Sequence, residues 1–267
     1  MKGKSMLTTL LKSIGLIQAT TDPVFHQRHI NLSGNQISFS MPENFSRDFP
    51  GEDLVETVDL NNVTAALDYH GVTLMRRFWD FKTDGFFKKN TGTLVLLLTV
   101  KKIPDGCQKN LAHPLEFVEV LQQALCEQCE ESNKTTAEEY RFAYSETFNA
   151  FGEHVFNQHR WIRYVRIRND GREHASYSAI PVTPSHYFVA EFISLPADTI
   201  GMRSFTDNYS YNLRDKIMDT FDVAYAAGNH LVQDIQQCKN LRLEQIIEEL
   251  TQKYIESLPG GLPKYIE

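Results

Sequence analysis

Cys126-Glu127-Gln128-Cys129 has the spacing of a dithiol redox pair or of half a zinc site. In a strand-to-helix turn such a pair can exchange electrons. Here it falls near the end of a predicted helix, with Cys129 on the apolar stripe. A four-ligand zinc site needs a second pair, and the sequence holds none; Cys107, His113 and Cys238 would have to converge on the first. The reading is two core or boundary cysteines. The histidines come as His26-x-x-His29, His154 with His159, and His174 with His186. None has the H-E-x-x-H spacing that puts two ligands on one metal. His26 and His29 precede a predicted strand in a polar segment and read as surface residues. Asp80 and Asp84 lie near Trp79, and two carboxylates could serve acid–base chemistry. Asp84 abuts Gly85, so turn formation accounts for it as well. The sequence carries no nucleophile elbow, phosphate loop or dinucleotide fingerprint. If there is a catalytic cleft, it is expected around Trp79, Asp80, His154 and His186. No metal or cofactor is expected.

The segment Arg160–Arg168, "RWIRYVRIR", is the most unusual. Read as a strand, it puts Arg160, Ile162, Tyr164, Arg166 and Arg168 on one face. Trp161, Arg163, Val165 and Ile167 fall on the other. Arginine, tryptophan and tyrosine are the residues favoured at binding hot spots. An earlier strand repeats the mixture in Arg76, Arg77, Phe78 and Trp79. The candidate partner-binding residues are therefore Arg160, Trp161, Arg163, Tyr164, Arg166, Arg168, Arg77 and Trp79. The competing explanation is a sheet face whose arginines pair across strands with Glu173 or Glu191.

These residues need elements to hold them. Leu7, Leu10, Leu11, Ile14 and Ile17 recur at helical spacing, predicting an amphipathic helix over 1–20 that docks on the body or on a partner. Gln36–Met41 alternates and ends at Pro42. Val72–Lys82 and Thr93–Ile103 read as long strands joined by "TDGFFKKNTG". The second is apolar on both faces over Leu94–Leu98, so it belongs inside a sheet. Pro114–Glu131 is a helix with Leu115, Val118, Leu121, Leu125 and Cys129 on one stripe and proline in its first turn. Arg141–Leu195 is strand-rich, with turns at Asn169-Asp170-Gly171 and Thr183-Pro184-Ser185. Helices are predicted over Asp207–Ala227 and Leu241–Leu258, the latter stopped by Pro259-Gly260-Gly261. The fold class is α+β: an antiparallel, meander-rich sheet with helices packed on it. Residues 21–267 form one domain in this reading.

Bulk composition narrows the classes. The chain has 42% hydrophobic and 23% charged residues, which places it among ordinary globular proteins. A formal net charge of −7 argues against nucleic acid and is compatible with a basic protein partner. Four cysteines are too few for a disulfide scaffold of this length. They point to a reducing compartment, so the expected location is cytoplasmic. The basic, partly apolar start keeps a secretory signal and a periplasmic location as the alternative. The run Leu94–Leu98 is far shorter than the roughly 20 residues of a membrane span.

Three pieces carry a family resemblance. "ISFSMPENF" (37–45) resembles the opening of PsbP-like small α/β domains, where a strand runs into Pro-Glu/Asp-x-aromatic. "FNAFGEHVF" (148–156) and "HYFVAEFIS" (186–194) resemble later strands of such domains, in the same order. What the resemblance implies is a domain that binds other proteins. Similar domains serve as adaptors, chaperones and immunity proteins linked to type VI secretion in Gram-negative bacteria. The expectation is a non-enzymatic protein-binding domain, in its narrowest form an immunity or adaptor protein for a bacterial secreted effector. The alternatives are an enzyme with an unrecognised site and a structural subunit that uses the N-terminal helix as a peg.

Overall fold

The structure, a computed structural model, describes residues 24–43, 46, 49, 51–63, 71–82, 90–138, 141–143, 150–169, 171–196 and 203–257. The expected helix over 1–20, the centre of the 83–92 loop, Asp84 and the Pro259-Gly260-Gly261 stop lie outside them.

The chain opens with a hairpin of β1 (Phe25–Leu32) and β2 (Asn35–Pro42). Its two-residue turn has Ser33 at φ 50° and Gly34 at φ 88°. Positive φ at both positions matches the right-handed twist of the strands, and glycine takes the second at no steric cost. His26 and His29 thus sit within a strand, where the sequence suggested a polar lead-in. His29 lies on the exposed face with Gln27 and Asn31, while His26 is half-buried on the face of the fully buried Ile30 and Leu32. β3 (Thr57–Val58) adds to β1 in parallel.

β4 (Val72–Lys82) pairs antiparallel with β5 (Asn90–Lys102), and β5 pairs on its other side with a later strand, as its two apolar faces require. α1 (Pro114–Thr135) follows, with His113 as N-cap and Pro114 in the first turn. Then come β6 (Phe142–Ala143), β7 (Gly152–Phe156), β8 (His159–Arg168), β9 (Glu173–Thr183) and β10 (His186–Pro196). The main sheet runs β4-β5-β10-β9-β8-β6, with β7 also paired to β8. All its pairings are antiparallel, and β7 to β10 follow one another as the expected meander.

α2 (Arg203–Met218) ends earlier than its apolar periodicity predicts. The next residues leave the helix as β11 (Asp222–Ala224), which pairs with β2. Thr220 makes the break. Its hydroxyl accepts from the Ser40 N–H at 2.8 Å and donates to the Ile217 carbonyl at 2.6 Å, so a side chain replaces the next helical bond. Phe221, expected on the helix face, instead stacks on Phe39 with centroids 4.8 Å apart. α3 (Leu231–Cys238) was not anticipated, and α4 (Leu243–Ser257) matches the last predicted helix.

The two faces of the main sheet bury separate cores. One is closed by the β11-β2-β1-β3 sheet and α2, and includes Ile37, Phe39, Leu96, Trp161, Phe188 and Phe221. The other is closed by α1 and Leu243 of α4, and includes Leu121, Leu125, Cys129, Tyr164 and Tyr177. No helix among the described residues is long and apolar enough to cross a membrane.

Candidate functional site

Alternation along β8 sends its side chains into both cores rather than to solvent. Trp161 is 0% exposed, Tyr164 5% and Arg166 6%; Trp79 on β4 is 2% exposed and donates its indole N–H to the Glu43 carbonyl at 3.1 Å. These four are part of the interior and present no surface to a partner. Arg160, Arg163 and Arg168 are half-buried. Arg160 donates to the Lys239 carbonyl at 2.9 Å and lies 3.3 Å from Glu153. Arg77 lies 3.5 Å from Asp53. The arginines chiefly bind the sheet to what covers it.

On the α2 face, Arg163 reaches Asp215 at 3.4 Å. Arg214 donates to Asp215 at 2.9 Å, to Glu173 at 3.4 Å and to Ser176 at 3.3 Å, with its guanidinium 4.8 Å over the Tyr211 ring. Two arginines face two carboxylates, so the crevice is balanced. His154 on β7 is held below its ordinary value by burial first and by the Arg163 charge second.

The α1 face holds a buried charge pair, Arg166 with Glu191. A β-bulge lies where Arg166 opposes Ala175 but Ile167 opposes Glu173. The extra residue is His174, and a bulge re-aims the side chains it interrupts. Glu173 goes to Arg214 on one face; His174 lies on the other, its ring 4.8 Å from that of Phe142. The Arg166 guanidinium sits 4.5 Å over the same Phe142 ring. Its Nη2 is 3.6 Å from Glu191, while its Nε is shut off from water with no acceptor. Glu191, 7% exposed, already accepts from the Tyr177 hydroxyl at 2.8 Å. Tyr164 stacks on Tyr177 with centroids 4.8 Å apart, and burial holds both phenols well above the ordinary value. Lys101 is lowered by burial, with Glu191 opposing and Arg166 reinforcing the shift.

His174 reports the local charge most directly. Burial, then Arg166 and Arg168, push it down to about 4. Its folded value lies below its unfolded one, so the unfolded chain binds the extra proton first as pH falls. His174 therefore removes stability between about pH 6.5 and 4, and adds no further slope below that. His174→Gln is expected to flatten the urea-midpoint profile across this window and leave it unchanged above pH 7. An unaltered acid limb would show that the ring is solvated.

The four residues of the expected cleft do not converge. Asp80 opposes Thr93 and donates nothing; it accepts from the Thr93 hydroxyl at 2.8 Å. His186 opposes Lys102 at the other end of β5, about 30 Å along the strand at 3.4 Å per residue. His154 lies on β7, beyond β8 and β9 from His186. Cys126 is half-buried, and the Cys129 thiol is pushed up to about 11 by burial, the opposite of an activated nucleophile. Among the described residues, no group of three or more His, Cys, Asp or Glu is placed to hold a metal.

An apolar area does remain on the α1 face at the β4 edge. The cross-strand row Phe78–Val95–Ile193 runs from the β4 edge to the margin of the core that α1 closes, with Ile193 packed against that core, Val95 buried and Leu195 next to them. Phe49 stacks on Phe78 with centroids 5.3 Å apart and is 53% exposed; Leu195 is 43% exposed. Arg76 shares this face and lies 3.2 Å from Glu52. The sequence reading named Phe78 here but missed Phe49 and Leu195, because only the register brings them together. No protein-family model, curated protein or solved structure matches this chain.

Proposed function

We propose that this chain is a non-enzymatic protein-binding domain, and that its docking surface is the apolar area of Phe49, Phe78, Ile193 and Leu195 beside Arg76. The Phe49–Phe78 stack, with Phe49 53% exposed over a half-buried Phe78, carries this reading. Aromatic anchors next to an arginine on a rigid sheet are what hot spots are built from. β4 and β10 are each paired with β5 along their length, so the surface is preformed and loses little entropy on docking. With a net charge of −7, the chain would meet a basic partner faster than a neutral one. The PsbP-like resemblance supports the narrower version: an immunity or adaptor protein for a bacterial secreted effector, working in the cytoplasm.

The test is affinity capture from the cells that make the chain, followed by binding measurements with the recovered protein. A stoichiometric partner is expected, and Phe49→Ser with Leu195→Ser should weaken it about tenfold or more while leaving the fold intact. Capture of no stoichiometric partner, or undiminished binding by the double variant, overturns the reading.

A further inference from the structure

The apolar area at the β4 edge lies close to the point where residues 1–23 join the fold. Phe25 opposes Pro42 at the open end of the β1–β2 hairpin, and Val24 before it is 73% exposed. Glu43, next after Pro42, touches β4: its carbonyl accepts from the Trp79 indole. Trp79 and Phe78 are successive residues and point to opposite faces of that strand. Phe49, six positions beyond Glu43, stacks on Phe78, so only six positions separate contacts on the two faces at this edge. Seven residues, 18–24, separate Ile17 from Phe25. They give the same reach from a start one strand spacing away.

The sequence before Phe25 suits that area. Leu7, Leu10, Leu11, Ile14 and Ile17 recur at helical spacing. A helix this short is marginal in water by itself and needs an apolar surface to hold it. Phe49, 53% exposed, and Leu195, 43% exposed, offer one, with half-buried Phe78 and Ile193 beside them. Residues 7–17 would make a helix about 16 Å long. The row Phe78–Val95–Ile193 crosses three strands, about 10 Å, so the helix spans it. Charge agrees: residues 1–21 carry Lys2, Lys4 and Lys12 and no acidic residue, in a chain of net charge −7. Glu43, Glu52 and Asp53, each with its side chain at least half exposed, border the β4 edge. Such exposed charges orient a basic helix more than they bind it. We propose, on the reading of this area as a docking surface, that residues 7–17 dock on it as an amphipathic helix of the same chain and cover it until a protein partner displaces them. An intramolecular occupant is always at hand, so only a partner that binds more tightly than the helix gains the surface.

Hydrogen exchange of the full chain in dilute solution, read by mass spectrometry, tests this without any partner. Amides of residues 7–17 are expected to exchange about tenfold or more slowly than those of an unstructured chain. Phe49→Ser with Leu195→Ser should return them to the unstructured rate. So should Leu10→Ser with Leu11→Ser, which alters no residue of the sheet and leaves the exchange of β4, β5 and β10 as it was. Exchange at the unstructured rate in the wild type overturns the proposal, as expected of a segment that binds only a lipid surface or another protein. Protection that survives the Phe49 and Leu195 changes also overturns it, since the helix then docks elsewhere. Protection that grows with protein concentration assigns the segment to a second copy and overturns the intramolecular contact. The partner capture is a separate readout. A captured partner beside an unprotected segment overturns the self-docking alone. Protection that depends on Phe49 and Leu195, with no partner captured, supports the helix contact and overturns the partner reading.

Discussion

Trp161→Ala is expected to cost about 3–5 kcal/mol, enough to leave a domain of ordinary stability largely unfolded. The indole is 0% exposed and sits among three aromatic rings, with centroids 6.3 Å from Phe156, 6.1 Å from Phe188 and 5.5 Å from Phe221. All three contacts are edge-on or nearly so, the arrangement the ring quadrupole favours. Those neighbours come from β7, β10 and the turn into β11, so one side chain ties the main sheet to the smaller one. Phe221 is further tied to Phe39 by stacking and cannot collapse into the space without losing that contact. The indole N–H has no partner and is shut off from water. Trp161→Phe therefore removes volume but also removes an unsatisfied donor, and should cost less than half as much as alanine. Urea unfolding, followed by far-ultraviolet circular dichroism with the m-value checked for constancy, measures both. A Trp161→Ala variant within about 1 kcal/mol of the parent would show that the residue faces solvent, as a partner-binding role requires.

That result bears on what the sequence makes legible. Alternation identified β4, β5, β8, β9 and β10, and 3.6-residue periodicity identified α1 and α4, because each pattern persists over many residues. On β8 the alternation was correct, but its meaning depended on what covered each face. A sheet buried on both sides turns the "exposed" face of Arg166 and Tyr164 into interior, and a strand does not announce how many layers lie over it. The α2 overrun has a different cause. Leu213, Ile217, Phe221 and Ala224 keep helical spacing, and only the Thr220 hydroxyl, bonded to Ser40 some 180 positions away, ends the helix. The fourth member of the smaller sheet is likewise non-local: β11 is three residues long and exists because β2 offers it an edge. The α1-face cluster was half visible, since Glu191 was named as a cross-strand partner of the arginines. His174 and Phe142 were not, because their meeting depends on a one-residue bulge.

Glu191 is where the second large effect is expected. Glu191→Ala leaves Arg166 desolvated, its Nε already without an acceptor, and also strands the Tyr177 hydroxyl. Breaking a buried pair from one side costs about 3–5 kcal/mol, because the remaining charge is uncompensated. Glu191→Gln keeps the shape and an acceptor for Tyr177, and should cost less, with the difference measuring the charge alone. Arg166→Met combined with Glu191→Leu removes both charges and fills the space with apolar volume. If the pair serves stability, the double variant is as damaging as either single change. If desolvation outweighs the attraction at 3.6 Å, it recovers most of the loss and restores a wild-type unfolding midpoint. The geometry favours recovery: the contact is longer than a charge-assisted hydrogen bond, and the same Glu191 Oε1 already accepts from the Tyr177 hydroxyl.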